Sequence, residues 1–267
     1  MLRAKVKTLP KTLPPVHPNL GTQQIFKRKL LKLIKEMQDS IEYWISASYK
    51  ANTPLITADE LPAAALNRAL KKLFRRWSRQ FDELAPALAE YYTKSANNRS
   101  AKQLAAILNE HGMSVKFKMT REMRDVMKAT IEEQVGLIKS IPEQHFKNVQ
   151  GAVMRSVSAG RDLKSLTDDL KKIKGVTERR AAAISRDQNN KATATMVRVR
   201  QQELGITQAI WIHSHGGKVP RPSHLANNGK KYDVAKGWYD PDEGRFVHPG
   251  ELINCRCVSR SIIPGFD

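Results

Sequence analysis

Through the first two hundred residues, apolar positions recur every three to four residues. From Gln23 to Lys50 the series Phe26, Leu30, Leu33, Ile34, Met37, Ile41, Trp44 and Ile45 makes one stripe of a helix. A second series, Leu66, Leu70, Leu73, Phe74, Trp77, Phe81 and Leu84, follows the capping-box pair Thr57 and Glu60. Pro62 falls in its first turn, where a missing N–H is harmless, and Pro86 is expected to kink or end the helix. Further helices are predicted at about 99–110, ending at Gly112, at 120–139, ending before Pro142, and at 143–158, ending before Gly160. A short helix at 162–173 and a longer one at 177–204, closed by Gly205, complete the series.

After Gly205 the period changes. Gln208–His213 alternates and is rich in Ile and Trp, Lys231–Val234 and Arg245–Val247 are short, and Arg256–Ile263 alternates again, with Gly and Pro marking turns between them. The pattern predicts a mainly α N-terminal region followed by a small, loop-rich α+β C-terminal domain. Residues 1–22, with Pro10, Pro14, Pro15 and Pro18 among lysines, read as a basic Pro-rich arm expected to be disordered or extended. Residues 23–118 form a helical region. The second domain spans 119–267, with helices to about 205 and a small β unit over 206–267.

Charge adds a partner. The 267 residues carry 46 Lys and Arg against 26 Asp and Glu, a formal +20, far beyond what solubility needs. Such an excess points to a polyanion, most often nucleic acid. It is unevenly placed: from Gly216 onward eight basic residues face six acidic ones, which leaves a net +18 in the first 215. The first acidic residue is Glu36, and none lies between Glu60 and Asp82. Lys27, Arg28 and Lys29, and the helix face of Arg68, Lys71, Lys72, Arg75, Arg76 and Arg79, are therefore the candidate DNA-contacting residues, a solvated helix face being the ordinary alternative. No apolar run approaches the roughly 18–20 residues that cross a bilayer, so a soluble protein without a membrane partner is expected. Two cysteines exclude a disulfide-stapled scaffold and fit a reducing compartment such as cytoplasm.

Candidate chemistry concentrates near the C-terminal end. His213, His215, His224, His248 and both cysteines, Cys255 and Cys257, fall within 45 residues. On a strand, Cys-x-Cys puts both sulfurs on one face, and His224 and His248 would complete a zinc tetrahedron, with His213 and His215 as substitutes. Half-buried cysteines and histidines bonded to loop carbonyls are the alternative. A second reading is a metal-dependent His-Asn-His nuclease, with His248 and Asn254 beside His224, Asp233, Asp240 and Asp242. A third, over Leu170–Ile184, is a helix-hairpin-helix turning at Gly175, against a plain helix pair with Thr177 as N-cap. Neither a nucleotide-cradling G-x-x-x-x-G-K-[ST] loop nor a G-x-S-x-G elbow occurs.

Trp211, then Arg221-Pro-Ser-His224, Gly229, His248-Pro249-Gly250 and Asn254-Cys255-Arg256-Cys257, taken in that order, resemble the end of the phage Mu F-like head morphogenesis proteins, minor head proteins of tailed phages. The upstream helix with Ala181, Ile184, Ser185, Arg186 and Asp187 is similar to the helix that precedes the family's β unit, although Ser185-Arg186-Asp187-Gln188 departs from the family's Arg-Thr followed by an acid. The resemblance covers about residues 120–262. It implies a non-enzymatic virion component present in few copies at the portal vertex, acting in head morphogenesis or in handling packaged DNA. The implied partners are the portal protein and other head or scaffold proteins, and the charge adds double-stranded DNA bound without sequence preference. The implied location is the phage head, with assembly in the host cytoplasm. No cofactor is implied; zinc is the one that the Cys/His cluster would suit.

Overall fold

A computed structural model describes residues 12–51, 62–159 and 162–263. Four long helices are followed by short strands: α1 (Leu20–Ala51), α2 (Pro62–Glu110), α3 (Arg121–Ser158), α4 (Leu163–Glu203), β1 (Gln208–Ile212), α5 (Pro222–Ala226), β2 (Lys231–Asp233), β3 (Trp238–Asp240), β4 (Arg245–Val247) and β5 (Val258–Ser261). This is the mainly α region with a small α+β end. None of the described helices is long and apolar enough to cross a membrane.

The helices are longer than their breakers suggest. α2 runs on through Pro86 and α3 through Pro142, and α4 passes Gly175 without a turn. A mid-helix Pro costs roughly 3 kcal/mol and a Gly about 1. Buried neighbours on both sides offset that: Ala85, Leu88 and Ala89 at the first proline, Ile141 and Phe146 at the second, Leu170 and Thr177 around Gly175. Both the helix-hairpin-helix reading and the plain helix pair with Thr177 as N-cap are thereby corrected, since Thr177 lies mid-helix with its hydroxyl donating to Ile173 O at 3.1 Å. The Thr57–Glu60 capping pair lies outside the described residues.

By contacts the chain divides into two compact units that are interleaved in sequence. One takes residues up to Gln23, Tyr92–Thr130 and Arg186 onward; the other takes Gln24–Tyr91 and Ile131–Ser185. Among its described residues the second unit is helical apart from Ala159 and Asp162, between α3 and α4. Its buried side chains are the α1 line Phe26, Leu30, Ile34, Met37, Ile41 and Ile45, the α2 line Leu66, Leu70, Leu73, Trp77 and Phe81, and Ile138, Ile141, Val149 and Val153 of α3. Trp44, Phe74 and Leu84, which the apolar stripes include, are exposed at its surface.

The first unit carries both small antiparallel sheets, one in the order β2-β1-β5 and one of β3 with β4. In the larger sheet Ala209 lies opposite both Tyr232 and Ser261, and Trp211 opposite Ser259. Its apolar core joins Trp211, Ala209, Tyr232, Val234, Val247 and both cysteines to Leu104, Leu108 and Val197 of the helices. The end of the Pro-rich arm belongs here too, and over residues 12–19 it takes the extended alternative, not the disordered one. Thr12 bridges to Ile262, Leu13 N–H donates to Ser261 O at 3.0 Å, and Leu13 and Val16 are buried. Prolines exclude helix from this stretch, but an extended strand needs none, and two apolar residues suffice to anchor it. Residues 1–11 lie outside the described part.

Candidate functional site

The Cys/His cluster is assembled by three pieces of backbone. Pro222 opens α5 after Arg221, with His224 two residues on. Cys255 closes a turn by donating its N–H to Leu252 O at 2.9 Å, and Cys257 immediately precedes β5. His224 Nδ1 stands 3.5 Å from Cys255 Sγ and 3.6 Å from Cys257 Sγ, and all three residues are buried. The other ring nitrogen, Nε2, is 3.2 Å from Asp240 Oδ2, a fully buried carboxylate that also accepts from the Ser223 hydroxyl and the Asp242 N–H. Trp211 packs edge-on against His224, ring centres 4.9 Å apart. Hydrogen bonding from Cys257 lowers the Cys255 pKa, with His224 adding to the effect. The same contact, with burial, raises that of Cys257, so the pair favours a single negative charge.

The motif residues brace this cluster. Asn254 has a left-handed φ of 62°. Its N–H donates to Asp187 Oδ1 at 2.6 Å, and the Asn190 amide donates to Cys255 O at 3.1 Å. Asp187, Asn190 and Ala194 lie three and four residues apart, on one face of α4. Ala194 and the Asn190 carbonyl crowd Gly250, where an added Cβ would lie 2.7 Å from the Ala194 methyl, so only glycine fits. The Gly250 N–H donates to Cys255 Sγ at 3.4 Å. Pro249 is buried beside it. Arg221 donates to Ile253 O and Arg256 to Gly216 O, while Gly229, at φ 79°, donates to Trp211 O at 2.8 Å.

His248 is not part of the cluster. Its Nε2 lies 3.3 Å from Val234 O, and its Nδ1 lies 2.9 Å from Arg198 Nη1 and 3.4 Å from Glu251 Oε2. The His248 N–H is tied to the same carboxylate at 2.9 Å, and this turn aims the ring away from the sulfurs. The zinc set read with His248 is corrected accordingly. Of the nuclease candidates, His224 and Asp240 are brought together at 3.2 Å, while Asp233 accepts the N–H groups of Ala235 and Lys236. Among the described residues, His224, Cys255 and Cys257 are the group of three with ligand atoms close enough to share an ion, all within 4.8 Å. His213 borders the cluster with its Nδ1 accepting the His215 N–H at 3.0 Å.

Burial resists ionisation of Glu251, but the His248 side chain, Arg245 and the His248 N–H together outweigh it and hold the carboxyl at about 2, against an ordinary 4.5. A depressed carboxyl contributes stability above its unfolded pKa and loses it as pH falls through the folded one. Glu251→Gln should therefore melt below wild type above about pH 4.5, and the gap should close towards about pH 2. Thermal melts of both proteins at matched ionic strength check this; a gap independent of pH contradicts it.

The basic candidates lie in the second unit. Arg68, Lys71, Lys72, Arg75, Arg76 and Arg79 are exposed on α2, opposite its buried Leu66, Leu70, Leu73 and Trp77. Arg28 and Lys29 are exposed on α1 and Lys27 is half-buried. Lys29 sits over the Tyr91 ring at 5.1 Å. Tyr91 is twelve residues beyond Arg79, or about 18 Å along α2. The two basic groups are thus separate features of the unit's surface.

The family model for Phage Mu protein F like protein matches residues 147–260. An uncharacterized protein of Haemophilus influenzae (strain ATCC 51907 / DSM 11121 / KW20 / Rd) is 27% identical over 255 residues, covering 93% of this chain and 55% of that protein. The chain thus spans about half the length of that relative. No solved structure matches. The matched segment holds the whole motif from Trp211 to Cys257, together with the α4 face that braces it. Over residues 147–260 the chain is thus similar to the phage Mu protein F-like family.

Proposed function

We propose that the protein is a minor head component of a tailed phage that acts at the portal vertex in head morphogenesis or in handling packaged DNA. The observation that carries this reading is the family match over residues 147–260, whose motif side chains brace a packed C-terminal unit. Its partners are then the portal protein, other head or scaffold proteins, and duplex DNA, and its place is the phage head after assembly in the host cytoplasm. The DNA contact is assigned to the exposed face Arg68–Arg79, six cations along about 16 Å of helix. Such a face meets phosphates rather than base edges, so binding is without sequence preference.

If those six cations each neutralise a phosphate, log affinity for duplex DNA should fall against log salt with a slope of about −5. Replacing Lys71, Lys72, Arg75 and Arg76 together by Ala should flatten the slope by about 3–4. Fluorescence anisotropy with two unrelated duplexes over a salt series measures both. Affinity that is indifferent to salt, or a slope unchanged in the variant, removes DNA contact by this face.

A further inference from the structure

Three observations converge on the buried trio of His224, Cys255 and Cys257. The first is spacing. Tetrahedral zinc with arms of about 2.05 Å to nitrogen and 2.3 Å to sulfur puts N and S roughly 3.6 Å apart. His224 Nδ1 lies 3.5 and 3.6 Å from the two sulfurs. The second is the tautomer. The Asp240 carboxylate lies 3.2 Å from Nε2, off the line of a formed hydrogen bond, and its negative charge favours the ring hydrogen on Nε2, which leaves the Nδ1 lone pair for the sulfurs. A carboxylate behind a ligating imidazole is the arrangement that orients histidines on metals. The third is convergence. Two sulfurs and one nitrogen lone pair meet with all their ligand atoms within 4.8 Å of one another, so that one cation can take all three, and the Gly250 N–H supports the Cys255 sulfur from behind.

We infer that the C-terminal unit binds one zinc ion through His224 Nδ1, Cys255 Sγ and Cys257 Sγ. Two thiolates and an imidazole are borderline-to-soft donors, which disfavours Mg²⁺ and Ca²⁺. His213 is withdrawn from the set, because its Nδ1 accepts the His215 N–H and its neutral ring then carries hydrogen on Nε2. The fourth position falls to a water from the cleft bordered by His213, Arg221 and Arg256. The ion ties α5 to the turn before β5, and its binding is independent of the proposed role in the head.

The test uses the full-length, untagged, reduced protein. Elemental analysis after incubation with Zn²⁺ and desalting should find about one zinc per chain. Titration of the metal-free protein with Co²⁺ should give thiolate-to-cobalt charge transfer and intense tetrahedral d–d bands saturating at one equivalent. Cys255→Ser with Cys257→Ser should abolish both signals, and His248→Ala should keep both. A wild-type protein that retains no zinc and shows no cobalt–thiolate band overturns the proposal without recourse to any variant. So does undiminished zinc in the double serine variant, or loss of the metal in a folded His248→Ala.

Discussion

Trp211→Ala is expected to destabilise the first unit by about 3–5 kcal/mol, the range for emptying a fully buried large aromatic site. Trp211 has no exposed surface and sits on the central strand of the larger sheet. Its indole touches His224, Tyr232 and Trp238, with ring centres 4.9, 5.9 and 5.6 Å apart, and it shares its core with both cysteines. No single neighbour can collapse into the space without moving the α5 turn or a strand partner. Trp211→Phe, which keeps a ring, should recover more than half of the loss. Denaturant unfolding of the three proteins measures this, and a cost below about 1 kcal/mol for the alanine variant would show that the core does not depend on this ring.

The second large effect is a pH dependence in the second unit. His145 is fully buried, and its Nδ1 donates to Thr177 Oγ1 at 2.9 Å, because that hydroxyl already gives its hydrogen to Ile173 O. Burial pushes its pKa down from 6.5 to about 4. Between those values the unfolded chain binds a proton that the folded chain refuses. Stability is therefore full above about pH 6.5 and falls as pH drops towards 4, by about 3 kcal/mol at roughly 1.4 per pH unit. Below about pH 4 both states are protonated and this contribution stays lost. His145→Gln, which has no charge to gain, should flatten the decline over this window whatever its stability at neutral pH. Chemical denaturation at pH 7, 5.5 and 4 compares the slopes, and parallel slopes would contradict the assignment.

The apolar period made the four helices legible, because stripes such as Phe26, Leu30, Ile34, Met37 and Ile41 need no tertiary information. Their ends were not legible. Pro86, Pro142 and Gly175 are local breakers whose cost is met by burial of residues that come together only in the folded chain. The second half of α4 hides its role for a related reason: Ser185, Gln188, Asn189, Asn190 and Thr193 are buried, so polarity there does not mean solvent. Asp187 and Asn190 brace the Asn254–Cys255 turn from that face, and no sequence period marks them.

The candidate site was legible by residue type and only partly by pairing. Cys255, Cys257 and His224 converge as their chemistry suggests. His248 does not, because its N–H and ring are both claimed by Glu251, three residues on. Asp240 was read as a metal ligand for nuclease chemistry, whereas it stands behind His224. The available signal was strand alternation, which puts Asp240 on the same side of its strand as the core-packed Trp238.

The reading as a minor head protein is tested most directly by quantitative mass spectrometry of heads purified from the phage or prophage that encodes the chain. The account predicts that the protein copurifies with heads at a few copies per portal ring and stays with them through high-salt washing. Heads that form, package DNA and contain none of it, while the protein is abundant in the same lysate, would contradict the account.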